Sequence, residues 1–389
     1  MVKRSECYQM KTSKMCAIFS NQHEYSQLKP LTDERALSTL YFAGKYRLMD
    51  FALSSIVNAG INHIYTLISQ EKVRSYLDHL GGGKEWGLDT IGAYEYLDFY
   101  QNLMQRRARG EEYFNDLILF LKACKMPYTV FIGNKMAANF DLQAILHFHQ
   151  SNGGHITPVF KRVEKGNLAP DDRTFILSNG NVVVDQNEAI DLSEEGPYNL
   201  ATNVYVMDTD WLIHQLEKAQ KSSLAYDVAE RLAYLSVKEK ASAYEYTGYL
   251  RNIHDVNSYY QANMDMLDKD KRDSLLYGSQ KIITRIRNEV GTYYDKDSDV
   301  KSTLIATGCK VKGEVKNCVV SRRVGFAKDS TTKNSVIMAN CRIKSGADVE
   351  YAILDKNVVI EKGVTVKGKP DTPVVIKKGT VVDKDFVLE

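Results

Sequence analysis

Three cations that lie close together early in the chain, Arg35, Lys45 and Arg47, are of the residue types that grip phosphate. An arginine fork presents paired N–H donors that match two phosphate oxygens, and lysine adds a compact point charge. The plainer use of Arg35 and Arg47 is structural, in pairs with residues such as Asp50. Other candidates for chemistry are thin. His147 and His149, in the run HFH, are of metal-ligating type, but a solvated or capping role suits them as well. Asp171-Asp172 reads as a loop turn, and Ser54-Ser55 lacks the glycine-flanked elbow of a nucleophilic serine. The six cysteines, Cys7, Cys16, Cys124, Cys309, Cys318 and Cys341, form no C-x-x-C pair, and no histidine cluster stands near them at zinc spacing. Small buried thiols in a reducing cytoplasm are the expectation.

The elements that must position these residues fall into two groups. A chain of 389 residues is too long for one compact core and suggests two domains. With 51 Lys and Arg against 49 Asp and Glu, the net charge of +2 argues against a dedicated nucleic-acid or membrane-surface protein. No apolar run approaches the ~18 residues of a membrane span. The polar start has no signal-peptide core, so residues 1–11 read as a disordered extension.

From Cys16 to about residue 275, short apolar strands alternate with helical patterns. Strands are expected at Cys16–Phe19, His63–Ser69, Tyr128–Gly133, His155–Lys161 and Asn203–Met207. Helices are expected at Gly44–Ala59, Phe114–Lys125, Leu142–Gln150 and Trp211–Lys221. Such alternation predicts parallel βαβ units with helices on both faces of a sheet. After residue 300 the helical signal ends. Apolar doublets recur at Leu304-Ile305, Val319-Val320, Val336-Ile337 and Ile353-Leu354, in steps of 15, 17 and 17. Three hexapeptides make ~18 residues, one triangular coil of a β-helix, and stacked coils bury one another's aliphatic corners. An antiparallel sandwich with coincidental spacing is the alternative. Residues 301–389 carry 14 Lys and 3 Arg against 10 acidic residues, a net +7 that leaves −5 on the rest. That excess suits anionic effectors or a polyanionic partner, or simply outward lysines that keep the coils soluble.

An α/β domain binds ligands beyond the carboxyl ends of its strands. The segment after the first strand, SNQHEYSQLKPLTDERALSTLYFAGKYRLMDFALSSIVNAGI, resembles the bacterial glucose-1-phosphate adenylyltransferases (ADP-glucose pyrophosphorylases). Leu28, Leu31, Thr32, Phe42, Gly44, Lys45, Tyr46, Arg47, Asp50, Phe51, Leu53, Ser54, Asn58 and Gly60 match that family's pattern. So do DHLGGGKEW at Asp78–Trp86, GYLRN at Gly248–Asn252 and SYYQANMDML at Ser258–Leu267. The resemblance runs in order from about residue 12 to about 370. It implies a Rossmann-like nucleotidyltransferase domain over 12–275, a linker over 276–300 and a left-handed parallel β-helix over 301–389.

The departures carry as much information. The family's phosphate loop is Gly-Gly-x-Gly-x-Arg, because glycine backbone approaches phosphate closely. Here Gln22, His23 and Tyr25 stand at the glycine positions, Glu24 adds a carboxylate, and Gln27 replaces the catalytic arginine. Leu37 and Ser38 replace a Lys-Pro pair. Where the family ends a strand in Gly-Asp-His, with the aspartate holding Mg²⁺, this chain has Gly133-Asn134-Lys135. A second metal aspartate survives as Asp227, and the family's Glu-Lys-Pro motif is not evident after Lys161. Gln22, Asp227 and Arg251 would then line a vestigial nucleotide and sugar pocket. The resemblance thus implies the non-catalytic, regulatory type of subunit in bacterial glycogen synthesis. Such a subunit holds no cofactor of its own, leaves Mg²⁺ to a catalytic paralogue and joins it in a heterotetramer. It also implies a phosphorylated effector at Arg35, Lys45 and Arg47, with Tyr41 in place of a histidine of some relatives. A weakly active adenylyltransferase with a rewired site and a stand-alone sugar-phosphate sensor are the alternatives.

Overall fold

The computed structural model describes residues 13–192, 196–221 and 227–388, so the extension expected over 1–11 and Cys7 lie outside the described residues. The apolar runs of the first part become nine strands of one sheet. They are β1 (Met15–Asn21), β2 (His63–Ile68), β3 (Tyr94–Phe99), β4 (Tyr128–Ile132), β5 (Ile156–Val163), β6 (Arg173–Leu177), β7 (Val183–Glu188), β8 (Tyr198–Asp208) and β9 (Tyr244–Glu245). The order is β7-β6-β8-β4-β1-β2-β3, with β5 also on β8 and β9 on β5. The parallel expectation holds for β4, β1, β2 and β3. It fails from β8 onward, where pairing with β4, β5 and β6 is antiparallel.

Every residue of β1 is buried, as expected of a central strand covered on both faces. The two-residue alternation sends Met15, Ala17 and Phe19 into one core, with Met49, Leu53 and Ile56 of the helix Leu48–Asn58 and Ile145 of the helix Leu142–Asn152. Cys16 and Ile18 enter the other, with Leu117 and Leu121 of the helix Asn115–Cys124 and Leu212 and Leu216 of the helix Thr209–Gln220. The helix expected from Gly44 starts only at Leu48. Ala43 and Gly44 take positive φ (46° and 78°) in a turn that pairs Tyr41–Phe42 with Tyr46–Arg47, and Asp50 Oδ2 then caps the helix by accepting from Arg47 N at 2.9 Å. A Cβ on Gly44 would lie 3.0 Å from the Val320 carbonyl oxygen, so a side chain there would press into the C-terminal domain.

That domain is a left-handed parallel β-helix built of three sheets of short parallel strands. The doublets lie in one of these sheets, with Leu304 on Val319, Val319 on Val336 and Val336 on Ile353. The first coil strand is Tyr293–Tyr294, on Lys310–Val311, so coiling starts inside the stretch expected as linker.

The domains share a core. Leu37, Leu40, Phe42, Tyr259, Tyr260 and Met266 pack on Val336, Met338, Ala339 and Ile353 of the coils. Within this apolar seam Arg35 meets Asp355 at 2.8 Å, the two side chains only 8% and 1% exposed. Removing one member of such a pair strands the other as an uncompensated charge. Asp355→Ala should therefore cost about 3–5 kcal/mol in denaturant unfolding, and Arg35→Met with Asp355→Leu should regain most of it.

Candidate functional site

Two places combine the residues singled out above. The first lies at the carboxyl ends of β1 and β4, where Asn21, Gln22 and His23 leave one strand and Gly133, Asn134 and Lys135 leave the other. The Lys135 side chain is 1% exposed, and its ammonium bonds Tyr25 Oη at 2.7 Å, contacts Asp172 Oδ1 and has Asp171 Oδ1 at 3.9 Å. Asp172, also buried, accepts from Asn252 Nδ2 at 2.5 Å and from Ala169 N at 2.7 Å. Burial alone would lower the Lys135 pKa, but Asp172, Tyr25 and Asp171 outweigh it and raise it above the ordinary lysine value. Burial drives His23 the other way, to about 3, with the Lys135 charge adding to the effect. The imidazole is therefore neutral near pH 7.

Around this pair several polar groups are turned to local use. Glu24 is tied to Lys72 at 2.9 Å, and Gln22 Oε1 accepts from Ser20 Oγ at 3.2 Å. Asp227 caps the helix Val228–Lys238 by accepting from Ala229 N at 2.8 Å, and burial raises its pKa. Asp227 and His23 line a small cavity of about 210 Å³ with Asp171, Arg173 and Glu188. Arg251 donates to Asp265 Oδ2 at 2.9 Å and to Asn167 Oδ1 at 2.7 Å. The amides of Asn21 and Asn134 are buried without a hydrogen-bond partner among the described residues. This end of the sheet thus contains an internal cation that its own carboxylates neutralise.

The second place is the cleft between the domains. Two cavities of about 350 and 240 Å³ share Tyr41 and Arg47. The first adds Arg35, Arg74, Lys356 and Lys378, and the second adds Lys45, Arg285, Arg287 and Arg322. The Arg47 guanidinium lies 4.5 Å from the Tyr41 ring centre and donates to the Thr39 carbonyl at 2.6 Å. Burial lowers the Arg47 pKa, and Arg35 and Arg322 lower it further against the opposing Tyr41. Burial would raise Tyr41, yet Arg47, Arg322 and Lys356 together pull its phenol below the ordinary value. Arg47, Arg74, Arg287 and Lys356 have no ion-pair partner among the described residues, whereas Arg35 is committed to Asp355 and Arg322 has Glu289 at 3.8 Å. A surplus of forked donors at a cleft is suited to a polyvalent anion.

Comparison with known proteins places this architecture. The family described as nucleotidyl transferase matches residues 25–269, and the family described as GlmU-like, C-terminal hexapeptide, matches residues 290–386. The chain belongs to the nucleotidyl transferase family, in its glucose-1-phosphate adenylyltransferase branch. It is 30% identical over 380 residues to the glycogen biosynthesis protein GlgD of Bacillus subtilis, an alignment covering 96% of this chain and 98% of that protein. The protein of the same name from Geobacillus stearothermophilus is 28% identical, over 95% and 97% of the two chains. The glucose-1-phosphate adenylyltransferase of Fusobacterium nucleatum is 26% identical, over 82% and 84%.

Against this family frame the expected residues divide. Gln27 is exposed on the turn Ser26–Leu28, Leu37 is buried in the interdomain core, and Asn134 is buried beyond β4. Gln22, Asp227 and Arg251 do not converge on one point, since the first bonds Ser20, the second caps a helix and the third serves Asp265. Arg35, Lys45 and Arg47 do line one composite cleft. Asp50 turns its side chain to His79 Nε2 at 2.6 Å and to the Arg47 backbone, so it forms no ion pair with either arginine. Asp172 closes the turn expected there, its N–H bonding the Ala169 carbonyl at 3.0 Å, and its side chain is also the buried partner of Lys135, while His149 is buried against Thr157 Oγ1 at 3.0 Å and His147 is exposed. The cleft cations Arg74, Arg285 and Arg287 had no sequence signal, and only the basic surplus of residues 301–389 hinted at Arg322, Lys356 and Lys378. Among the described residues no helix is long and apolar enough to cross a membrane.

The His23 shift has a pH signature. Below ~6.5 the unfolded chain takes up a proton that folded His23 accepts only near pH 3, so its contribution is intact above ~6.5 and is lost as the pH falls toward 3. Urea unfolding at about pH 7 and about pH 4.5 should show a larger loss in the native protein than in His23→Gln.

Proposed function

We propose that this chain is a regulatory subunit of glucose-1-phosphate adenylyltransferase in glycogen biosynthesis. It acts in the cytoplasm by assembling with a catalytic paralogue rather than by turning over substrate. The observation that carries this reading is the buried Lys135 ammonium, held by Asp172 and Tyr25 at the strand ends where the family binds nucleotide. The residues there do not fit the Mg²⁺ that the family implies. The ion needs carboxylate oxygens in near-octahedral array, whereas an amide, Asn134, and an ammonium, Lys135, occupy one side and Asp227 is spent on a helix cap. Gln27 offers no charge to developing phosphate negativity, and a missing donor of this kind costs a few kcal/mol of transition-state stabilisation. The GlgD name of its relatives supports the pathway, and Mg²⁺ and ATP chemistry then belong to the partner subunit.

The interdomain cleft is the regulatory element of this proposal. Arg47, Arg74, Arg287 and Lys356 are in no ion pair among the described residues, they outnumber the lining carboxylates Glu34, Asp78 and Glu289, and Tyr41 beneath Arg47 completes a floor for a phosphorylated effector. Because the cleft is walled by both domains, an anion there contacts both at once.

The purified chain, given ATP, Mg²⁺ and glucose 1-phosphate, should release no pyrophosphate above background, while its addition to the catalytic paralogue should change that enzyme's rate and its response to effectors. Normal pyrophosphate release from the chain alone would refute the regulatory reading in favour of a rewired enzyme. Absence of a complex with any paralogue would favour a stand-alone sensor. Gln27→Arg with Asn134→Asp should remain inactive, because the glycine loop is still missing. Calorimetric titration with a sugar bisphosphate should report binding to the native chain that Arg47→Ala weakens about tenfold or more, in line with the ~1.5–3 kcal/mol of a charge-assisted hydrogen bond.

A further inference from the structure

One of the three faces of the β-helix gathers Lys310, Lys312, Lys328, Arg342 and Lys344. Along this face each two-residue strand points one side chain out and one in. Lys310 is exposed over buried Val311, Gly325 stands over buried Phe326, and Arg342 is exposed over buried Ile343. Lys310, Gly325 and Arg342 are direct neighbours in register. At the positions in register with these walls the middle coil has only Gly325 and Ala327, whereas the coils on either side have Lys310 with Lys312 and Arg342 with Lys344. The result is a trench of about 850 Å³ that Arg323 and Lys328 also line. A Cβ on Gly325 would lie 3.2 Å from Arg342 Cδ, so a side chain there would crowd the arginine wall of the trench.

No carboxylate lines the trench. Lys344 has Glu361 at 2.6 Å and Arg323 has Glu289 at 3.0 Å, but Lys310, Lys312, Lys328 and Arg342 have no ion-pair partner among the described residues. The spacing is set by strand geometry. Cations on one wall are two residues apart, ~6.8 Å, and the walls are two strand spacings apart, ~9.6 Å. Lys310 thus faces Arg342, and Lys312 faces Lys344.

We propose that this trench docks an extended acidic segment of a partner protein, with carboxylates at alternate residues. An extended chain has the same two-residue repeat as the walls, so successive outward carboxylates each meet one facing pair of cations. The width admits one strand, and the glycine–alanine floor lets its backbone lie close. A compact sugar phosphate would engage one pair and leave the other pair and both end cations unused. Its cations are different residues from those of the effector cleft, although Arg323 of the trench and Arg322 of the cleft both reach Glu289.

The test uses the full chain and two short labelled peptides of equal charge, one with Glu and Ser alternating and one with the same glutamates contiguous. Fluorescence anisotropy in ~0.1 M salt should show the alternating peptide bound about tenfold or more tightly than the block peptide. Arg342→Glu with Lys344→Glu should abolish that preference, and so should Lys310→Glu with Lys312→Glu, which keeps the test open if one pair fails to fold. Gly325→Leu, with the charge unchanged, should weaken the alternating peptide about tenfold. Equal binding of the two peptides, displacement of the alternating peptide by an equimolar sugar bisphosphate, or binding unchanged in the charge-reversed or Gly325→Leu chains would each overturn the proposal.

Discussion

A buried ammonium has to be matched where it lies, and the contact of Lys135 with Asp172 sets the form of the whole strand-end region. An isolated charge in this position would cost several kcal/mol. Here the cost is offset by a carboxylate that is itself held by Asn252 and the Ala169 amide, with Tyr25 closing the other side. Four separate stretches of chain, around residues 25, 135, 172 and 252, are thereby tied to one point. In this chain the positive charge is already satisfied from within.

Charge elsewhere follows the opposite rule. In the interdomain cleft burial first, and then Arg35 and Arg322, lower the Arg47 pKa, and against burial Arg47, Arg322 and Lys356 pull down the Tyr41 phenol beneath it. Arg287 is lowered as well, by burial first and then by Arg322 and Arg285. Groups perturbed in this way and gathered in one cleft mark a candidate functional site. One chain therefore has a cleft whose charges cancel and a second whose charges do not.

Much of the fold was legible because it rests on periodicity. The β-helix doublets could be read from their steps alone, since a coil that must bury its aliphatic corner repeats that corner every turn. The central strands β1 and β4 were legible as continuous apolar runs. The hairpin around Gly44 was not, because its residues also fit a helical stripe, and only the close approach of the Val320 carbonyl decides against one. The antiparallel pairing of β8 is a long-range choice that local pattern does not encode. The same limit applied to the sites. Arg35, Lys45 and Arg47 could be singled out because they lie in the segment that resembles the family, whereas Arg287, Arg322 and Lys356 join them only through the docking of two domains. Asp172 looked like turn material because nothing in its neighbourhood announces a lysine 37 positions earlier as its partner.

The pairing of Arg35 with Asp355 has a consequence for how the two domains find each other. A stack of near-identical turns offers an apolar docking partner several almost equivalent seats, and greasy contacts alone would tolerate a slip by one turn. The residues stacked on either side of Asp355 along the same edge are Met338 and Lys377. A slip in one direction would leave the guanidinium facing a thioether in a dry seam, and a slip in the other would set it against a like charge. The aspartate therefore acts as a locating pin, admitting a single seat out of several that shape alone would accept.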